Sequence, residues 1–405
     1  MKDVDHIFGT CDPEFVEVER VFRKNFANGW EREGAEFAVY YDGRLVVDLQ
    51  GGYKDAKASV PWTDETRTIV FSVTKSIAAL CIGLLVDRGR LRYDQKIVEF
   101  WPEFGKNGKE NITVGCVLTH RSGLTTFGVP MPLDVVRDPQ KVGQIIENAT
   151  SMGTKTAYHA LTYGWLVDQI VRHVDEQSRG VSQFFRDEIA QKHDIDFHLG
   201  LPSTEAHTVS RLSAVPRAYV MREIRSDPRI MIAMLLMRIR GKQSLVKQVQ
   251  CVRDWMQIDE SRVTLNNPSI YGLEQVAALG ITKAKELAKL FSLVIEGKVI
   301  SPEIVEMYKQ PQIVDEIDAA IRAPLSKGYG FMYEKHPLNK TKWTLGHPGF
   351  GGSNVLFSPD DRLAISYVCN GLKAGDKFIW TLVDEYCCWK QLDIGVLNIR
   401  SEVVN

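Results

Sequence analysis

The spacing of apolar residues changes period along the chain. Phe15, Val18, Phe22 and Phe26 recur at helical intervals after Asp12-Pro13, an N-cap followed by a first-turn proline, and predict a helix packed on one face. Over residues 36–53 the period shortens. Phe37 to Tyr41, the turn Asp42-Gly43 and Leu45 to Val47 predict a β-hairpin. Far downstream, residues 328–334, 342–345, 353–357 and 363–369 are short apolar runs separated by turn residues. They predict antiparallel strands, followed by a last helix over about 376–391. Between these ends the stretches 141–148, 161–173, 182–191, 228–240 and 283–296 have helical periodicity. The simplest architecture is α+β: residues 1–95 and 325–405 build one antiparallel sheet domain from both termini, and 96–324 form a mostly helical domain between them.

Composition narrows the class. The 405 residues are 44% hydrophobic and 25% charged, which suits a globular protein with a large core. Fifty Lys and Arg face 51 Asp and Glu without a long single-sign run, so no nucleic-acid partner is implied. Seven scattered cysteines without a C-x-x-C, among them the adjacent Cys387 and Cys388, indicate neither a disulfide framework nor a zinc site and suit a reducing compartment. Asp3, Asp5 and Asp12 oppose a secretory or transit leader. The longest apolar run, 230–237, is far short of the roughly 20 residues that span a bilayer. A cytoplasmic protein is expected. That run itself predicts a core helix; a methionine-rich wall of an acyl pocket and a membrane-surface contact are its alternatives.

The candidate chemistry begins at Ser72-Val73-Thr74-Lys75, which follows Val70-Phe71 and opens a long apolar helical stretch. Three-residue spacing on a helix places Lys75 one turn from Ser72. A serine hydroxyl needs a base to become a nucleophile, and a buried lysine loses enough basicity to serve. A second copy, Ser244-Leu245-Val246-Lys247, lies among Arg238, Arg240, Lys242 and Arg253 and predicts a solvated basic face. The cluster His193, Asp194, Asp196 and His198 fits no metalloprotease spacing and is expected to be a polar loop. Gly346, Gly349, Gly351 and Gly352 lack the Lys-Ser/Thr of a phosphate loop and predict a close backbone approach instead.

After Ser72-x-x-Lys75 come Phe100-Trp101-Pro102-Glu103-Phe104, then Leu118-Thr119-His120-Arg121-Ser122-Gly123-Leu124, Tyr158-His159-Ala160 and His347-Pro348-Gly349. This succession, over residues 12–385, resembles the serine beta-lactamase-like, penicillin-binding-protein-like family. It is most similar to class C beta-lactamases, S-x-x-K carboxylesterases and animal beta-lactamase-domain-containing proteins. The resemblance implies a beta-lactamase/transpeptidase-like fold with the site between its two domains. It implies Ser72 as nucleophile, Lys75 and Tyr158 as general bases, the Ser72 and Phe350 amides as oxyanion hole, and His347 and Gly349 against substrate. His120 is then a structural histidine beneath the site. No metal or organic cofactor is implied.

Two positions depart from the pattern. Ala160 replaces the asparagine that contacts a beta-lactam side chain, and His347 replaces lysine. The expected function is therefore an esterase acting on a small ester or amide. The alternatives are a beta-lactamase or peptidase of the same fold, and a non-catalytic scaffold that self-assembles. The G-x-S-x-G elbow of an α/β-hydrolase is absent from the sequence.

Overall fold

The computed structural model describes residues 6–375 except 239, 240 and 242. The expected helix over 376–391, with Cys387 and Cys388, lies outside the described residues.

In chain order the strands are β1 (Ile7–Cys11), β2 (Gly34–Tyr41), β3 (Arg44–Asp55), β4 (Val60–Pro61), β5 (Thr68–Ile69), β6 (Phe197–Leu199), β7 (Gly280–Thr282), β8 (Ile313–Ile317), β9 (Pro324–Gly328), β10 (Phe331–Lys335), β11 (Trp343–Pro348), β12 (Asn354–Ser358) and β13 (Leu363–Cys369). The main sheet runs β1-β3-β2-β13-β12-β11-β10-β9-β8, all antiparallel, with β4 paired to β3. Strands from the two ends of the chain meet at β2 and β13, where Phe37 lies opposite Tyr367 and Val39 opposite Ile365. The α+β fold read from the sequence is the fold observed.

Period-two alternation divides the side chains between two cores. Phe37, Val39, Leu49 and Ile365 point to the face covered by Phe15, Val18 and Phe22 of the first helix. This helix begins as a 3-10 turn at Pro13–Phe15 and continues as α over Val16–Ala27. On the other face the small Ala38 and Ala364 admit the helix Ala284–Ile295, which packs on β2, β12 and β13 through Leu287, Leu290 and Phe291.

The helix Thr74–Asp87 is buried on every side from Thr74 to Leu85, in keeping with its uninterrupted apolar sequence. It runs against β10, β11 and the helix Thr162–Val174.

Three local expectations change. The single run expected over 328–334 is two strands, folded back at Tyr329 and Gly330, both with positive φ; the turn lacks the Asn-Gly signature that would have announced it. The helix over 182–191 is present as a continuous helical segment, Val181–Phe185 and Gln191–His193, but its middle, Arg186–Ala190, is wound as a π turn that the periodicity did not predict. The apolar run 230–237 does form a helix, Arg229–Arg238, but it is not a core helix, since Met231, Ile232 and Leu235 face solvent.

Candidate active site

Ser72 owes its position to a second, three-stranded sheet, β5-β7-β6, that the sequence did not announce. Beyond β5 the Val70 amide donates to Gly280 O (2.9 Å), and Gly280 N donates to Thr74 Oγ1 (2.9 Å). Thr74 Oγ1 in turn donates to Phe71 O (2.5 Å). Phe71 is held at φ +48°, a left-handed conformation that costs a bulky residue about 1–3 kcal/mol. Its ring meets that of Phe350 edge to face, with centroids 5.5 Å apart. The chain then winds through a 3-10 turn, Phe71–Val73, into the helix, leaving Ser72 half-buried at the helix entrance.

Lys75 is fully buried, 0% exposed. Its Nζ has three neighbours: Ser72 Oγ at 3.0 Å, Ala160 O at 2.9 Å and Ala277 O at 2.9 Å. Burial pushes its pKa well below the ordinary lysine value, and no carboxylate among the described residues opposes this. A neutral amine has two N–H bonds and one lone pair. The two carbonyls take the N–H bonds, and the lone pair is left for the Ser72 hydroxyl proton. Tyr158 approaches from the other side, its OH donating to Ser72 Oγ at 2.8 Å. Burial raises the Tyr158 pKa, so the group is a phenol at neutral pH.

The turn carrying Tyr158 is fixed by residues that the sequence reading missed. Asp318 Oδ1 accepts from the amides of Tyr158 (3.0 Å), Ala320 (2.9 Å) and Ile321 (3.0 Å). Its other oxygen pairs with buried Lys327 at 2.5 Å, and Lys327 reaches Thr156 Oγ1 at 2.6 Å. Gln248 brackets the turn: Oε1 accepts from Ala160 N (2.7 Å), and Nε2 donates to Tyr158 O (2.8 Å) and Gln243 O (2.9 Å). No motif marks Asp318, Lys327 or Gln248. The one available signal was helical spacing after Ser244, which turns Leu245 and Gln248 to one side. The second S-x-x-K copy is thus only partly the solvated face expected of it: Lys247 is exposed, whereas Ser244 and Gln248 are buried.

His120 does lie beneath the site, as expected. Its ring is 4.8 Å from that of Tyr158, and its Nδ1 accepts from His159 N (3.1 Å).

Ser72, Tyr158, His347, Gly349 and Phe350 all border one cavity of about 590 Å³, whose other walls include Leu245, Ile321, Met332, Tyr333 and Trp343. Lys75 lies behind Ser72. A Cβ on Gly349 would stand 2.4 Å from Val70 O, so only glycine permits β11 to end this close to the segment before Ser72. Among the described residues, neither the Ser72 nor the Phe350 amide donates to a protein acceptor. The Phe350 side chain is 56% exposed at the rim.

His347 is buried, with Nδ1 2.8 Å from Pro348 O and no protein partner for Nε2. Because a carbonyl can only accept, Nδ1 carries the proton and Nε2 presents a lone pair. Burial lowers its pKa to about 3, so it is an uncharged acceptor. The segment expected to be a polar loop is one only in part, since His193 ends the helix Gln191–His193 and His198 lies in β6; its Asp196 is engaged away from the cavity, pairing with Arg67 (2.8 Å), His198 (2.8 Å) and Lys283 (3.2 Å).

An antiparallel sheet assembled from strands of both chain ends, with Ser72 at the entrance of a buried helix, is the serine-hydrolase-type beta-lactamase/transpeptidase-like fold. The chain belongs to the Beta-lactamase family, whose model matches residues 22–387. It is 30% identical over 376 residues to the esterase/beta-lactamase LipL of Mycobacterium tuberculosis, covering 90% of this chain and 83% of LipL. Among solved structures, a family VIII carboxylesterase superposes with a TM-score of 0.79 at 25% identity, covering 93% of this chain and 98% of its own. A penicillin-binding protein homologue from Caulobacter crescentus gives 0.75 at 29% identity, with coverage of 93% and 98%. The protein is a hydrolase of this family with esterase relatives.

Proposed function

We propose that the protein is a carboxylesterase-type serine hydrolase acting through a Ser72 acyl-enzyme. The observation that carries this reading is the Ser72 hydroxyl held between Lys75 Nζ and Tyr158 OH at the wall of an apolar cavity. Ser72 Oγ attacks the ester carbonyl carbon while its proton passes to the Lys75 lone pair. The carbonyl electron pair moves onto oxygen, held by the Ser72 and Phe350 N–H groups. The tetrahedral adduct collapses, and the departing alkoxide takes a proton back from the Lys75–Tyr158 pair. Water then attacks the acyl carbon and delivers a proton to Lys75; the second tetrahedral adduct collapses, and the departing Ser72 Oγ takes that proton back, releasing the acid and restoring neutral Lys75. Burial divides the two expected bases: Lys75 removes the proton, and Tyr158 acts as the hydrogen-bond donor and relay.

Leu245, Ile321, Met332 and Trp343 favour apolar acyl or alkoxy groups. An uncharged His347 offers no ion pair to a beta-lactam carboxylate, and Ala160 offers no side-chain amide, so esters rank above beta-lactams. The scattered thiols support a reducing, cytoplasmic setting.

The test is fluorophosphonate labelling with mapping of the modified residue, alongside turnover of a short p-nitrophenyl ester and of nitrocefin. Label on Ser72, ester turnover well above nitrocefin turnover, and a loss on the order of 10³-fold in Ser72→Ala are expected. Full ester activity in Ser72→Ala refutes the reading. Equal kcat/KM for the two substrates restores beta-lactam hydrolysis.

A further inference from the structure

Residues 230–237 are eight consecutive apolar side chains between Arg229 and Arg238. A helix apolar all round belongs in a core or in lipid. Here it is not in the core, because Met231, Ile232 and Leu235 are 47, 54 and 56% exposed. The helix Arg229–Arg238 packs between Arg217–Ser226 and Leu245–Gln250, and these neighbours add exposed Met221, Val246 and Val249. Six of the exposed large hydrophobic residues among those described therefore fall on three successive helices.

Charge indicates what covers them. Residues 217–247 carry eight Lys and Arg against two Asp and Glu, in a chain whose net charge is −1. Arg217, Arg225, Arg229 and Lys247 are exposed among the described residues. Exposed apolar side chains within a basic surround match a protein surface seated on anionic lipid headgroups, with the apolar groups entering the interface and the cations meeting the phosphates. A symmetric contact with a second copy would instead set this basic surround against itself. The surface also adjoins the active site, since Leu245 lines the cavity and Gln248 of the same helix brackets the Tyr158 turn.

We propose that the helices Arg217–Ser226, Arg229–Arg238 and Leu245–Gln250 form a docking surface for an anionic membrane, seating the mouth of the cavity near the lipid. The proposal goes beyond the esterase reading, because binding does not require Ser72.

The experiment is flotation of the full-length protein with phosphatidylcholine vesicles, with and without 30% phosphatidylglycerol. The expected result is binding to the anionic vesicles only, weakened tenfold or more by 0.5 M NaCl and by Leu235→Glu. Ser72→Ala should bind like wild type. Leu235→Glu should keep its unfolding midpoint and its turnover of a soluble short ester. Three outcomes overturn the proposal: no binding to anionic vesicles, binding unaffected by Leu235→Glu, or a wild-type dimer on gel filtration that Leu235→Glu dissociates, which assigns the face to a second copy.

Discussion

Acidification should destabilise the fold partly through His347, and His347→Gln should remove that part. A histidine with an ordinary unfolded pKa of about 6.5 that is held to about 3 by burial remains neutral in the fold while the unfolded chain takes up a proton. Its contribution to stability is therefore intact above pH 6.5 and is lost as pH falls from there towards 3. The loss is about 1.4 kcal/mol per pH unit, so about 2 kcal/mol disappears between pH 7 and pH 5. Set against a typical total of about 5–15 kcal/mol, this is readily measured. His159, lowered to about 4, and His120 act in the same direction; Glu36, raised to about 8 by burial, acts in the opposite one. All three remain in the variant and cancel in the difference. Urea unfolding followed by tryptophan fluorescence at pH 7 and pH 5 should show His347→Gln losing about 2 kcal/mol less than wild type. Equal losses in the two proteins would mean that His347 titrates freely, and the case against carboxylate recognition would fall with it.

Two further outcomes concern the proposed catalytic groups. Lys75→Arg should abolish acylation measured with fluorophosphonate, because guanidinium stays protonated and cannot accept the Ser72 proton; near-native labelling would leave Tyr158 as the base. Gln248→Leu leaves Ala160 N and Tyr158 O without partners, at a cost of about 1–3 kcal/mol each, and should lower kcat by about 10- to 100-fold more than it changes KM. An unchanged kcat would show that Asp318 and His120 suffice to hold the turn.

What the sequence determined by itself was whatever local periodicity and motif order encode. The Asp42-Gly43 hairpin, the strands near the carboxyl end and the union of both termini in one sheet were legible because alternation and turn chemistry act over a few residues. Ser72 and Lys75 were legible because a helix converts a spacing of three into adjacency. Tertiary structure alone decided the protonation states and the supports. The carbonyls of Ala160 and Ala277 come to Lys75 from 85 and 202 residues away, and backbone oxygens leave no mark in a sequence. Gln248, Asp318 and Lys327 converge on the Tyr158 turn from separate segments, so no single window contained them. The helix Arg229–Arg238 shows the same limit from the opposite side. Composition marks a segment as apolar, but only the packing of its neighbours decides whether that apolar surface lies inside the fold or outside it.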